Sequence, residues 1–138
     1  MTDSWVVDSS IGVAWAHPAQ ASSDADTLLA SIRAGTKMVI PTLWYPEVAN
    51  VLMVLQRRNK LSSDTRAAAL AFLDSFEFII DDESIRAALR KTSDLAEKYD
   101  LTVYDATYLE VALRRNLPLA SRDRELNNAA RQCGIKTL

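Results

Sequence analysis

The chain has 138 residues, 49% hydrophobic and 25% charged, enough for one globular domain with its own core. A formal net charge of −2 excludes a global basic field of the kind that draws nucleic acid to a whole surface. The single cysteine, Cys133, excludes an internal disulfide and fits a reducing, cytoplasmic setting.

The N-terminal MTDSWVVDSS lacks the basic start and long apolar core of a signal peptide. Trp5-Val6-Val7 is a short β-prone run. It ends at Asp8-Ser9-Ser10, where a serine can cap a helix running to about Trp15. His17-Pro18 stops that helix. Ser22 or Ser23 opens an amphipathic helix to about Ala34, with Ala25, Leu28, Leu29 and Ile32 on one face, and Gly35 closes it. Met38-Val39-Ile40 is a second apolar run, ended by Pro41. A helix is predicted from about Leu43 to Arg58, with Pro46 tolerable only in its first turn. Another runs from Ser62 or Ser63 to about Ser75, followed by a strand at Phe76–Ile80. Ser84 to about Tyr99 reads as one helix, and Val103–Leu113 as the next. Pro118-Leu119-Ala120 is a short strand, Asp123–Cys133 a helix stopped by Gly134, and Ile135-Lys136-Thr137 a last strand. No apolar run approaches the ~18 residues that suggest a membrane span.

The strands are short, uniformly apolar and alternate with helices. That pattern predicts an α/β fold: a doubly wound, mostly parallel sheet of about five short strands with helices on both faces, in one domain spanning 1–138. Ligands of such sheets sit beyond the carboxyl ends of the strands. Asp8 follows the first strand and Asp123 the fourth, so both belong at that edge. Each acid also has a purely local reading. Asp8 and Asp123 can cap helices, Glu47 suits a first turn, and Thr102-Val103-Tyr104-Asp105 matches a capping box. Caps alone would scatter between both edges of the sheet, whereas at least two of these acids fall at one edge and the other two lie in first turns of helices that can point there.

Elimination narrows the chemistry. One histidine, His17, excludes a two-histidine acid–base nuclease, and with one cysteine it cannot make a structural zinc site. Three glycines form neither GxxxxGK[ST] nor GxGxxG, so there is no phosphate-cradling loop. Carboxylates remain, and a cluster of them suits Mg²⁺ or Mn²⁺ and, through such an ion, phosphate chemistry.

VVDSS at Val6–Ser10, Glu-x-x-Asn at Glu47–Asn50, YDATYLEVA at Tyr104–Ala112 and ASRDREL at Ala120–Leu126 occur in order along essentially the whole chain. They resemble the successive motifs of PIN-domain ribonucleases, above all the small VapC-type toxins of toxin–antitoxin pairs. The resemblance implies a metal-dependent endoribonuclease, with Mg²⁺ or Mn²⁺ held by Asp8, Glu47, Asp105 and Asp123 as the catalytic set. It further implies supporting roles for Ser9, Asn50 and Ser121. It also implies an RNA substrate, a homodimer and a small antitoxin protein that blocks the site.

Basic pairs stand beside the acids: Arg57 and Arg58 with Lys60, Arg114 with Arg115, and Arg122 with Arg124. Each pair alone reads as a solvated helix face. As a set they form a candidate basic rim for an RNA backbone. Trp5, Trp15 and Trp44 read as core or interface residues. Two other readings compete: a phosphoacceptor receiver-like domain, and a PIN-like module that binds RNA or protein without catalysis. A receiver would place adjacent acids after the first strand and a lysine after the last. Here Asp8 is flanked by Val7 and Ser9, and Lys136 falls inside the last strand candidate.

Overall fold

A computed structural model describes residues 4–138. Met1–Asp3, part of the N-terminal stretch read as lacking a signal peptide, lie outside the described residues. The elements in chain order are β1 (Ser4–Val7), α1 (Ser9–Ala16), a 3-10 turn (Pro18–Gln20), α2 (Ser23–Arg33), β2 (Lys37–Pro41), α3 (Trp44–Arg57) and α4 (Ser63–Asp74). There follow β3 (Phe78–Asp81), α5 (Ser84–Ala87), α6 (Lys91–Tyr99), α7 (Val103–Arg115), β4 (Leu119–Ala120) and α8 (Arg124–Gln132).

The sheet has the order β3-β2-β1-β4, and every pairing is parallel. Val6 and Val7 of β1, Met38–Pro41 of β2, and Leu119 and Ala120 of β4 are buried, as strands covered on both faces must be. The chain builds outward from β1 to β2 and β3, then returns to add β4 on the other side of β1. The order therefore reverses at β1 and β4, and the crevice beyond their carboxyl ends is the expected ligand position. The residues that follow there are Asp8 and Ser121.

Some elements differ from the sequence expectation. The fifth strand reduces to one parallel bridge, Leu119 with Thr137. The strand expected at Phe76–Ile80 lies at Phe78–Asp81. Phe76 is drawn instead into the turn closing α4, its N–H on the Leu73 carbonyl and its ring against Trp15, Phe72 and Phe78. The helix expected over Ser84–Tyr99 is broken between α5 and α6. The Ser93 hydroxyl donates to the Ala88 carbonyl at 3.1 Å, taking the acceptor that Thr92 N–H would use in a continuous helix. Leu89, at the break, is 92% exposed.

Two contacts fix α1 and α3 around the crevice. Gly12 lies where a Cβ would stand 2.6 Å from Cζ2 of Trp44, so α1 approaches α3 only as closely as glycine allows. Trp44 is fully buried and packs its ring against Phe78 at 4.7 Å between centroids, a core role as expected. Among the described residues no helix is long and apolar enough to cross a membrane.

Candidate active site

A cleft of about 440 Å³ opens beyond the carboxyl ends of β1 and β4, lined by Asp8, Ser9, Ser10, Asp105, Arg122 and Asp123, with an apolar wall that includes Val13, Val51 and Leu55. Asp8, at the N-cap of α1, makes no side-chain cap bond. Its carboxylate instead accepts from the hydroxyls of Ser10 and Ser121, each at 2.7 Å, and more loosely from Ser9 at 3.4 Å. Burial pushes the Asp8 carboxyl above its ordinary range; the hydroxyls of Ser121 and Ser10 oppose the rise and the Asp123 charge adds to it.

Asp123 does cap its helix, accepting Leu126 N–H at 2.9 Å through Oδ1, so the local reading holds for one of its oxygens. Its backbone N–H donates to the Ser121 hydroxyl at 2.9 Å. Asn127, one turn into α8, donates from Nδ2 to the Ser121 carbonyl at 2.9 Å and fixes the same turn. Ser121 thus ties Asp8 to Asp123, and Ser10 closes the ring by accepting Arg122 N–H at 2.9 Å.

Asp105 occupies the first turn of α7. The cap there is Thr102, whose hydroxyl accepts Asp105 N–H at 3.1 Å. Any residue at this position can supply that N–H, so the capping geometry does not require a carboxylate. The Asp105 carboxylate lines the cleft. Burial, then the charges of Asp123 and Asp8, raise it to about 6.

Glu47 sits half-buried in the first turn of α3 and accepts the Tyr108 hydroxyl on Oε1 at 2.5 Å. Burial raises its carboxyl; the Tyr108 hydroxyl opposes the rise, while the charges of Asp8 and Asp105 add to it. Glu47 stands next to the cleft and is not among the residues that line it; Asn50, one turn beyond, is exposed and also outside the lining.

Of the basic residues, Arg122 lines the cleft, held across it by Gln20 of the 3-10 turn through the Gln20 carbonyl and, at 3.3 Å, its side-chain oxygen. Arg57, Arg58 and Arg124 are exposed and lie outside the cleft lining. Arg114 and Arg115 turn elsewhere: both guanidinium groups bind Asp81, a fully buried carboxylate at the end of β3, at 2.7 and 2.5 Å. Glu110 completes the cluster at 2.8 Å from Arg114. Burial alone would raise the Asp81 carboxyl, but the hydrogen bonds from Arg114 and Arg115 outweigh it and hold the group below its ordinary range.

Ser10, Tyr108 and Asp81 were not singled out by sequence. Tyr108 had a usable signal. It lies three residues after Asp105 on a helix rich in Ala, Leu and Val, and a buried tyrosine hydroxyl needs a partner.

The donor set is all oxygen and crowded with like charge, which suits a hard divalent cation. Among the described residues no three acidic, histidine or cysteine groups are arranged to bind one ion together. Mg²⁺ does not need that: it keeps several waters and commonly takes one or two carboxylates directly, the substrate phosphate supplying more oxygen. The Lys136 that a receiver-like site would require is exposed and stacks its ammonium 5.4 Å over the Trp5 ring, outside the cleft lining.

A search of curated proteins finds no match. Among solved structures, PAE2754 from Pyrobaculum aerophilum is similar at a TM-score of 0.72 and 26% identity, over 97% of this chain and 83% of that one. FitAcB from Neisseria gonorrhoeae shares the fold at a TM-score of 0.65 and 14% identity, over 96% of this chain and 95% of that one. The family model for the PIN domain matches residues 5–132, a span that holds Asp8, Glu47, Asp105 and Asp123. The chain belongs to the PIN domain family.

Proposed function

We propose that the chain is a metal-dependent endoribonuclease and the toxin of a toxin–antitoxin pair. The observation that carries this reading is the meeting of Asp8, Asp105 and Asp123 in one cleft at the reversal point of the sheet, with Asp8 buried and held by hydroxyls. PIN domains are generally nucleases, which supports hydrolysis of nucleic acid as the chemistry of that cleft.

Asp8, Asp105, Asp123 and Glu47 would hold Mg²⁺ or Mn²⁺, one or two of them directly and the others through its waters. Such an ion, when bound, polarises a phosphoryl oxygen and makes a water nucleophilic at neutral pH. The remaining work falls to the chain. Ser10 and Ser121 keep Asp8 in one orientation. Arg122, a cation on the rim of an acidic centre, takes a backbone phosphate and sets the strand over the acids. Arg124, Arg57 and Arg58 extend that basic rim. Ser9 supports Asp8 through its hydroxyl, and Asn50, exposed one turn beyond Glu47, takes a supporting role on the family resemblance alone. A homodimer and a small antitoxin protein complete the reading, on the resemblance to VapC-type toxins.

The test is incubation of the pure protein with a pool of structured RNAs, with and without Mg²⁺ or Mn²⁺. Cleavage is expected only with the metal, and is expected to vanish in Asp8→Asn and Asp123→Asn while RNA binding survives. Robust cutting in excess EDTA contradicts the reading.

A further inference from the structure

Glu47 stands in an unfavourable place. It projects from the first turn of α3, half-buried, on a side chain with enough rotatable bonds to reach solvent. Burial first, and then the charges of Asp8 and Asp105, oppose its ionisation where it stands. A free glutamate in that field would swing outward, where water screens the repulsion.

What holds it is Tyr108. The tyrosine is fully buried in α7, and its hydroxyl donates to Glu47 Oε1 at 2.5 Å, across 61 positions of sequence. A buried phenol must donate to something, and this carboxylate is the partner it has. The bond engages Oε1, and the Ser9 hydroxyl makes a smaller contribution that also favours the charged carboxylate. Asp105 lies three residues earlier on the same helix, so α7 carries both a candidate metal ligand and the tether that holds a second one.

We propose that Tyr108 is a positioning residue: its hydroxyl locks the Glu47 carboxylate in one orientation at the head of α3 and so prepares that acid to bind the divalent ion. The proposal rests on the metal-dependent reading above and adds a group that touches neither metal nor RNA. Partners of this kind orient a ligand before the ion arrives, and removing one commonly weakens metal binding by about 10- to 100-fold.

The experiment is direct titration of the metal-free protein with Mn²⁺, followed by calorimetry or by the electron paramagnetic resonance of free Mn²⁺. Tyr108→Phe keeps the ring and removes only the hydroxyl; its affinity is expected to fall about tenfold. In a Glu47→Ala background the same change is expected to have no further effect, because the tether then has nothing to hold. Glu47→Asp, which leaves the buried ring untouched and withdraws the carboxylate from the hydroxyl, is expected to lose affinity as Tyr108→Phe does. Wild-type affinity in Tyr108→Phe or in Glu47→Asp overturns the proposal, as does an equal loss with and without Glu47. A wild-type protein that binds no Mn²⁺ removes the metal-dependent reading itself and this proposal with it, a result distinct from the others.

Discussion

The Ser121 hydroxyl donates to Asp8 Oδ2 at 2.7 Å and joins two loops that lie 113 positions apart in the sequence. The same hydroxyl oxygen accepts Asp123 N–H at 2.9 Å, so one small side chain sets the separation of two candidate metal ligands. Ser121→Ala leaves a buried carboxylate short of a donor and a backbone N–H short of an acceptor. The expected cost is about 1–3 kcal/mol in urea denaturation at unchanged slope. A neutral substitution means that the bond contributes nothing to the fold.

Asp81 and its two arginines make a second expectation. Arg114→Met removes one of two guanidinium partners from a buried carboxylate that Arg115 still holds, and is expected to cost about 1–3 kcal/mol. Because the Asp81 carboxyl is held low in the folded state, its contribution is present above its unfolded pKa and is lost as pH falls through the folded value, below about pH 4. Arg122→Gln, on the cleft rim, is expected to leave the melting temperature nearly unchanged and to flatten the salt dependence of RNA binding. The opposite assignment, with Arg114→Met stable and the salt slope altered, would return Arg114 to the RNA rim.

Much of this architecture is written locally. Short apolar runs bounded by Pro41, Gly35 and Gly134 place strands and helix ends, and Ser22, Ser62 and Thr102 cap the helices they precede. What periodicity does not carry is a partner far along the chain. Tyr108 meets Glu47 across 61 positions and Arg114 meets Asp81 across 33, so neither pair leaves a local pattern. The break between α5 and α6 falls at Arg90, whose backbone leaves the helical region while the Ser93 hydroxyl takes the Ala88 carbonyl, and neither changes the apolar spacing. Asp8 and Asp123 were ambiguous by sequence for the same reason. Whether an acid caps a helix or faces a cleft depends on what the returning strand brings beside it, and Asp123 does both.

Gly12 supplies a packing test. Gly12→Ala drives a methyl group to within 2.6 Å of the buried Trp44 ring unless α1 moves. Overpacking of this kind costs about 1–3 kcal/mol, and the gain in helix propensity is smaller, about 1 kcal/mol. A lower midpoint in thermal unfolding is expected; a higher one means that α1 and α3 have room to separate.

The pH dependence of the metal-free protein follows from three carboxyls. Asp8, Glu47 and Asp105 all have raised folded values, Asp105 at about 6. Between the unfolded value and the raised one the folded state holds more protons, so stability falls as pH climbs. The Asp81 effect has the opposite sign but acts only at lower pH. The metal-free protein is therefore expected to melt higher near pH 5 than near pH 7.5. For half-exposed Asp105, discounted for solvent screening, the effect is on the order of 1 kcal/mol, or about 3 °C. Equal midpoints at both values contradict the raised carboxyls, which burial causes first and mutual repulsion second.

The most direct test of the acidic centre is the melting temperature of wild type and Asp105→Asn at pH 7.5, each with and without millimolar Mn²⁺. The charged Asp105 carboxylate is opposed by burial and then by Asp123 and Asp8, while the cap of α7 is made by the Thr102 hydroxyl and the backbone N–H. The metal-free variant is expected to melt above metal-free wild type, because one like charge is gone. Mn²⁺ is expected to raise the wild-type midpoint and to raise the variant's much less. If Asp105→Asn melts clearly below wild type and Mn²⁺ moves neither protein, Asp105 is a structural helix-cap residue and the cleft is not a metal centre.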